Sequence, residues 1–129
     1  MLEIVGIHHI AIICQDYQRS RHFYTKVLGL RIIRETYRQS RQSYKLDLAC
    51  GADYIIELFS FPNPPRRPSF PEARGLRHVA FAVKHIEKQV GKLEELQIQV
   101  EPIRVDPTTG KKFTFLQDPD GLPIELYEA

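Results

Sequence analysis

Two histidines and two glutamates recur in this chain at matched positions, and their types suit metal chemistry. His9, in His-Ile-Ala-Ile, returns 69 positions later as His78, in His-Val-Ala-Phe, and Glu57, in Ile-Ile-Glu-Leu, returns 68 positions later as Glu125, in Pro-Ile-Glu-Leu. The histidine-to-glutamate distance is 48 residues in the first half and 47 in the second. A single strand histidine is ordinarily a hydrogen-bonded structural residue, and a single glutamate ordinarily sits at a solvated edge. Four such residues in register read differently, because burying carboxylates without a partner is costly and a cation relieves that cost. Two neutral nitrogens and two anionic oxygens suit a borderline divalent ion, Zn²⁺, Ni²⁺, Co²⁺, Mn²⁺ or Fe²⁺, with water in further positions. His9, Glu57, His78 and Glu125 are therefore the expected ligand set. His8, His22 and His85 lack this repeat and read as structural or surface residues.

The elements that must position these side chains come in two similar runs. Residues 4–13 are almost continuously apolar and rich in Ile, as a buried strand is. Asp16 is a good N-cap, Tyr17, Phe23, Tyr24, Val27 and Leu28 follow at helical spacing, and Gly29 ends the helix. Strands are predicted over 31–37, 43–50 and 53–59, with a tight hairpin at 51–53. The stretch 61–75 then holds five of the nine prolines, a density that forbids helix and interior strand alike. After it come a strand over 76–83, a helix over 86–96, and strands over 98–105, 112–116 and 122–127, the last two joined by the turn Asp118-Pro119-Asp120-Gly121. Both runs read β-α-β-β-β. The expected organisation is an α+β fold of one domain over 1–129, with a first module over 1–60, a proline-rich linker over 61–74 and a second module over 75–129. Strand alternation puts His9 on a face with Ala11 and Ile13, and His78 on a face with Ala80. Ile10, Ile12, Val79, Phe81 and Val83 are left for the helix side.

Composition narrows the class. The 129 residues are 43% hydrophobic and 26% charged, the balance of one globular domain rather than of a disordered, fibrous or membrane protein. The net charge of +2 hides an uneven split: residues up to Arg74 carry eleven basic and seven acidic groups, and the rest seven and nine. No run of five like charges occurs, so nucleic acid is not an expected partner. Cys14 and Cys50 each lie in an apolar run and read as two buried thiols in a reducing compartment. The first residues lack a basic region and a long apolar stretch, so no export signal or membrane partner is expected and the cytoplasm is the expected location.

With the repeat in place, the chain resembles the vicinal oxygen chelate superfamily, and within it glyoxalase I (lactoylglutathione lyase) and the short glyoxalase-like proteins of bacteria. The residues that carry the resemblance are His9-Ile-Ala-Ile with Asp16 and Ser20, and Phe23-Tyr24-Thr25-Lys26-Val27-Leu28-Gly29-Leu30. Gly75-Leu76-Arg77-His78-Val79-Ala80 and Asp118-Pro119-Asp120-Gly121 through Pro123-Ile124-Glu125-Leu126 complete it. The resemblance implies two βαβββ modules whose curved mixed sheets surround a metal cleft, often completed across a homodimer. It also implies a His-Glu-His-Glu ligand set at His9, Glu57, His78 and Glu125. The implied reaction is a lyase or isomerase step on a thiohemiacetal of methylglyoxal or a related vicinal-oxygen compound, through a metal-stabilised enediolate. Glu125 is the implied base and Glu57 its counterpart.

The chain departs from that family at one point that bears on substrate. An arginine commonly stands four residues after the first ligand in glyoxalase I, where it helps hold a glutathione carboxylate; here the residue is Ile13. Arg74, four residues before His78, matches a basic position used for glutathione in some members, and Lys111 is a further candidate for substrate charge. The same ligand set is compatible with an acyl-CoA epimerase, an Fe²⁺-dependent dioxygenase or a non-catalytic small-molecule binder, and these readings stay open at the level of sequence.

Overall fold

Alternation of buried and open positions defines the first strand, β1 (Ile10–Cys14), in which Ile12 and Cys14 are buried while Ala11 and Ile13 are exposed. The computed structural model describes residues 1–129. After β1 the Asp16 carboxylate caps α1 (Tyr17–His22) by accepting from the Arg19 N–H at 3.1 Å. The helix then widens into a single π turn, Phe23–Val27, and Gly29 at φ 77° releases the chain. Next come β2 (Arg31–Arg38), a short 3-10 turn (Gln39–Arg41), β3 (Ser43–Cys50) and β4 (Asp53–Ser60). These four strands form a sheet in the order β1-β4-β3-β2, with β1 parallel to β4 and the other pairs antiparallel.

The second half repeats the pattern. Here β5 (Val79–Val83), α2 (Ile86–Glu95), β6 (Arg104–Val105), β7 (Lys112–Gln117) and β8 (Pro123–Glu128) give a sheet of order β5-β8-β7-β6. Its β5 and β8 are again parallel. The chain thus has the α+β fold of two βαβββ modules. The two compact units are Met1–Pro65 and Arg66–Ala129, so they meet within the proline-rich connector. In the first, Tyr24, Leu46, Leu48, Ile56 and Leu58 are fully buried; in the second, Ile86, Leu93, Leu116, Ile124 and Leu126 form the core. Each such side chain contributes about 1.5–3 kcal/mol by leaving water. No helix is long and apolar enough to cross a membrane.

Four expectations need correction. The first strand begins at Ile10 rather than near Ile4, and Leu2, Ile4, Val5 and Ile7 are exposed. Pairing with β4 stops there because β4 carries a bulge at Ile55: Leu48 pairs with Ile56 while Ala49 pairs with Tyr54. The strand expected from Leu76 begins at Val79, because the Arg67 guanidinium takes the carbonyls of Leu76 and Arg77 at 2.6 and 3.1 Å. Of the run 98–105 only Arg104–Val105 is strand, since Pro102 offers no N–H to a ladder. Cys14 is buried as expected, but Cys50 is exposed because it ends β3 at the hairpin turn.

One polar cluster ties α1 to the edge of the first sheet. The Tyr17 hydroxyl donates to Glu35 Oε2 at 2.5 Å, Arg21 Nε donates to the same oxygen at 2.9 Å, and the Tyr17 ring stacks on Tyr44 at 4.2 Å. The hydrogen bond from Tyr17, joined by Arg21 and opposed by slight burial, holds the Glu35 carboxyl below its ordinary range. Burial, then Glu35, pushes the Tyr17 hydroxyl up. A carboxyl whose folded pKa lies below its unfolded value stabilises the fold above the unfolded value, and that contribution is lost as pH falls through the folded one. Glu35→Gln is therefore expected to lower stability by about 1 kcal/mol at neutral pH, a figure kept small because the pair is partly exposed. In urea melts at a series of pH values, the difference from the parent should start to shrink near about pH 4 and vanish below the depressed value. A difference that is constant down to low pH would exclude this role.

Candidate metal centre

Each unit brings one histidine to one glutamate in the same way. His9 stands directly before β1 and His78 directly before β5. In the parallel ladders, Ala11 is the register partner of Glu57 and Ala80 that of Glu125. The residue beside each glutamate is thus a single methyl group, which leaves the carboxylate room on the open face of the sheet. His9 Nε2 lies 3.6 Å from Glu57 Oε2, and His78 Nε2 lies 2.9 Å from Glu125 Oε2. The other ring nitrogen is engaged in both cases by the preceding residue. His9 Nδ1 is 2.8 Å from His8 Nδ1, and His78 Nδ1 is 2.9 Å from Arg77 Nη1. Nε2 is therefore the nitrogen that each histidine turns to its glutamate.

These donors fit a divalent ion. Nitrogen and oxygen ligands bound at about 2.0–2.2 Å and at right to tetrahedral angles stand roughly 3.0–3.5 Å apart, close to both observed separations. Each unit supplies one imidazole and one carboxylate, and three metal-binding side chains do not gather at one point. The side chains of Glu57 and Glu125 are 14% and 13% exposed, so each anion is largely withdrawn from water beside a neutral or cationic ring.

The two half-sites differ in their surroundings, and the bulge at Ile55 is the reason. It shifts side-chain parity so that Tyr54, three residues before Glu57, shares the open face with it. The Tyr54 hydroxyl meets Glu57 Oε2 at 2.9 Å and Asp47 Oδ1 at 2.5 Å. Its ring lies 5.3 Å from that of His9 and 5.4 Å from that of His8. Lys45 Nζ reaches Asp47 at 3.0 Å and Glu57 at 3.5 Å, and Arg34 lies 3.6 Å from Asp47. A second bulge at Ile33 brings Arg34 opposite Asp47. Burial pushes the Asp47 carboxyl up, but the hydrogen bonds from Tyr54 and Lys45 and the nearby Arg34 outweigh it and leave it below its ordinary range. Burial, then both carboxylates, push the Tyr54 hydroxyl up, so it stays a neutral donor.

In the second unit the ladder between β7 and β8 is regular, and Phe115 faces Glu125 where Asp47 faces Glu57. Phe115 meets the His78 ring edge to face at 5.1 Å, and the polar partner of Glu125 is His78. Arg74 is exposed in the connector, three positions from the arginine that does touch His78. Lys111 lies in the turn before β7, where its carbonyl accepts from the Asp106 N–H at 2.8 Å. It is four residues from Phe115, roughly 13 Å along an extended strand, so the unit does not bring it beside His78 and Glu125.

The sequence points to no site role for Lys45, Asp47, Tyr54 and Arg77, and His8, read from it as structural or surface, is exposed. Alternation counted back from Ile10 would turn His8 to the helix side, but alternation does not extend beyond a strand that starts at Ile10, and His8 lies beside His9. Arg77 and His8 had one available signal, adjacency to the two histidines expected as ligands. Tyr54 had none, because its face depends on the bulge.

Comparison with known proteins places this geometry in a family. Residues 6–126 match the Glyoxalase/Bleomycin resistance protein/Dioxygenase superfamily. The chain is 61% identical over 123 residues to the uncharacterized protein YwkD of Bacillus subtilis (strain 168), covering 95% of this chain and 96% of that one. It is 29% identical to a lactoylglutathione lyase of Escherichia coli O157:H7, over 88% of this chain and 84% of the other. The crystal structure of a glyoxalase family protein from Enterococcus faecalis superposes with a TM-score of 0.89 at 48% identity, covering 98% of this chain and all of that one. The paired βαβββ units, each with its histidine and glutamate in the same register, and the match along nearly the whole chain show that this protein belongs to the glyoxalase/bleomycin resistance protein/dioxygenase superfamily.

Proposed function

We propose that this protein is a divalent-metal-dependent lyase or isomerase of the glyoxalase I type, acting on a thiohemiacetal or a related small molecule with two adjacent oxygens. The observation that carries the reading is the duplicated pair, an imidazole Nε2 and a carboxylate oxygen at 3.6 and 2.9 Å in matching register. The distant likeness to a lactoylglutathione lyase supports the reaction class. His9, Glu57, His78 and Glu125 would together hold one ion, with the two half-sites drawn from one chain or from the two chains of a homodimer. The ion, Ni²⁺, Zn²⁺, Co²⁺, Mn²⁺ or Fe²⁺, supplies Lewis-acid stabilisation of the negative charge that develops on two adjacent substrate oxygens. The setting of the reaction is the cytoplasm.

The surroundings of the glutamates divide the labour between them. The Tyr54 hydroxyl and the Lys45 ammonium stand 2.9 and 3.5 Å from Glu57 Oε2, contacts that hold this carboxylate in one position. Glu125 has His78 as its polar partner and Phe115 across the ladder, with no second side chain fixing it, and it is the carboxylate assigned here to move the substrate proton. In this reaction Glu125 removes the proton from the carbon bearing the hydroxyl and sulfur, and returns it to the neighbouring carbonyl carbon. The hydroxyl proton passes to the other oxygen, and the product is a hydroxy thioester of unchanged composition. Tyr54 is a positioning residue that keeps Glu57 in place.

Three outcomes are expected. Protein loaded with each of these ions in turn and then desalted retains one ion per chain, measured by elemental analysis, and His78→Ala loses it; failure to retain any divalent ion would overturn the site. With methylglyoxal and glutathione or other thiols, Glu125→Gln lowers kcat by about 10²–10⁴-fold while the ion is kept, and unaffected turnover would sink the base assignment. Tyr54→Phe weakens metal retention by about tenfold, with a loss of folding stability of about 1 kcal/mol. A stability loss without any change in metal affinity would reduce Tyr54 to a structural residue.

A further inference from the structure

We propose that a cleft wholly within the second unit binds the anionic end of a small molecule, through the guanidinium groups of Arg77 and Arg104 above Phe115. The cleft has a volume of about 680 Å³, and the connector and the irregular segment before β6 form its sides, with Phe115, Leu116 and Pro123 among its lining. That is the size of a small-molecule site.

Both sides are pinned, so the cleft is formed before any ligand arrives. On the connector side Arg67 Nε donates to Ser69 Oγ at 2.8 Å, and Ser69 Oγ donates to the Gly121 carbonyl at 2.8 Å. The other Arg67 bonds go to the carbonyls of Leu76 and Arg77, so this arginine is consumed in holding the wall. On the opposite side the Glu101 N–H donates to the Phe115 carbonyl at 2.9 Å, and Thr114 Oγ1 donates to the Glu101 carbonyl at 2.6 Å. Pre-formed walls reduce the ordering cost of binding.

The charges inside are arranged for an oxyanion. The Arg77 and Arg104 guanidinium carbons stand 6.0 and 5.9 Å from the centre of the same Phe115 ring, and Arg104 also stacks on Phe113 at 4.9 Å. Both guanidinium groups line the same cleft, so a carboxylate or phosphate entering it meets two cations able to donate charge-assisted hydrogen bonds. Of the two acidic residues lining the cleft, Glu101 lies 3.6 Å from Arg104 with both side chains more than half exposed, a pair weak enough to exchange for a ligand. Glu72, the other, stands on the connector. Arg77 Nη1 meets His78 Nδ1, so the bound anion would lie one residue from the half-site of His78 and Glu125. On the reading given under Proposed function, this cleft selects substrates whose thiol arm ends in a carboxylate or phosphate, a role that Ile13 cannot fill.

Binding to the protein without added metal tests the cleft apart from the reaction. Benzoate, phenyl phosphate and the neutral isostere benzamide serve as probes, titrated against amide resonances in ¹H–¹⁵N spectra. Benzoate or phenyl phosphate is expected to shift the amides of Arg77, Glu101, Arg104 and Phe115 in a saturable way, and whichever binds tighter identifies the oxyanion. Arg104→Gln and Arg77→Gln should each weaken binding by about tenfold, with Arg104→Lys recovering part of the loss. Benzamide binding as tightly as benzoate, or Arg104→Gln binding the anions like the parent, would overturn the proposal. If the protein turns over thiohemiacetals yet the anions shift no amide in the cleft, this inference fails and the reaction assignment stands. If the anions bind the cleft yet no divalent ion is retained, the inference stands and the reaction assignment fails.

Discussion

Parallel pairing between the first and last strand of each unit is the constraint on which the His–Glu geometry rests. Residues nearly fifty positions apart become neighbours only because β4 returns alongside β1, and β8 alongside β5. The register is set from the reverse face of the sheets, where Ile56 and Leu58 in one unit and Ile124 and Leu126 in the other are buried. A slip by one residue would send those four side chains to the open face and both carboxylates into the core, at the cost of burying charge without a partner. The hydrophobic effect, acting on one face, thus aims the glutamates on the other.

From that shared frame the units diverge. In the first, the bulge at Ile55 rotates Tyr54 into a polar cluster with Asp47, Lys45 and Glu57, so a hydroxyl and an ammonium restrain the carboxylate. In the second, the unbroken ladder sets Phe115 opposite the counterpart, and the Phe113 ring lies 6.3 Å from that of Phe115 and 6.4 Å from that of Tyr127. A duplicated frame has become two different environments for the same functional group. The physical contrast is between hydrogen-bonding and aromatic neighbours for the same carboxylate.

Most of the fold was legible because it depends on local periodicity. The helix cap at Asp16, the turn glycine Gly29 and the face division of Ala11 and Ile13 from Ile12 are properties of neighbouring residues, and they stand as read. The misreadings share one cause. The run 4–13 is apolar throughout, yet a strand exists only where a partner strand continues, and β4 stops offering one at its bulge. Leu76 and Arg77 have strand-like neighbours, yet a guanidinium from the connector claims their carbonyls. Cys50 has an apolar run before it, and its exposure follows from the hairpin that ends β3.

The amino-acid order alone determined the donor types, their duplication and the face division of the strand residues that follow each histidine, because residue identity and period-two alternation are written into the chain itself. Tertiary structure decided which side chains accompany those donors. Tyr54 reaches Glu57 through a shift in parity, Asp47 faces Glu57 across a ladder, and Arg77 together with Arg104 meets at one ring from segments 27 residues apart. Each of these contacts is set by the register between strands and by loop packing, quantities that arise only when distant segments pair.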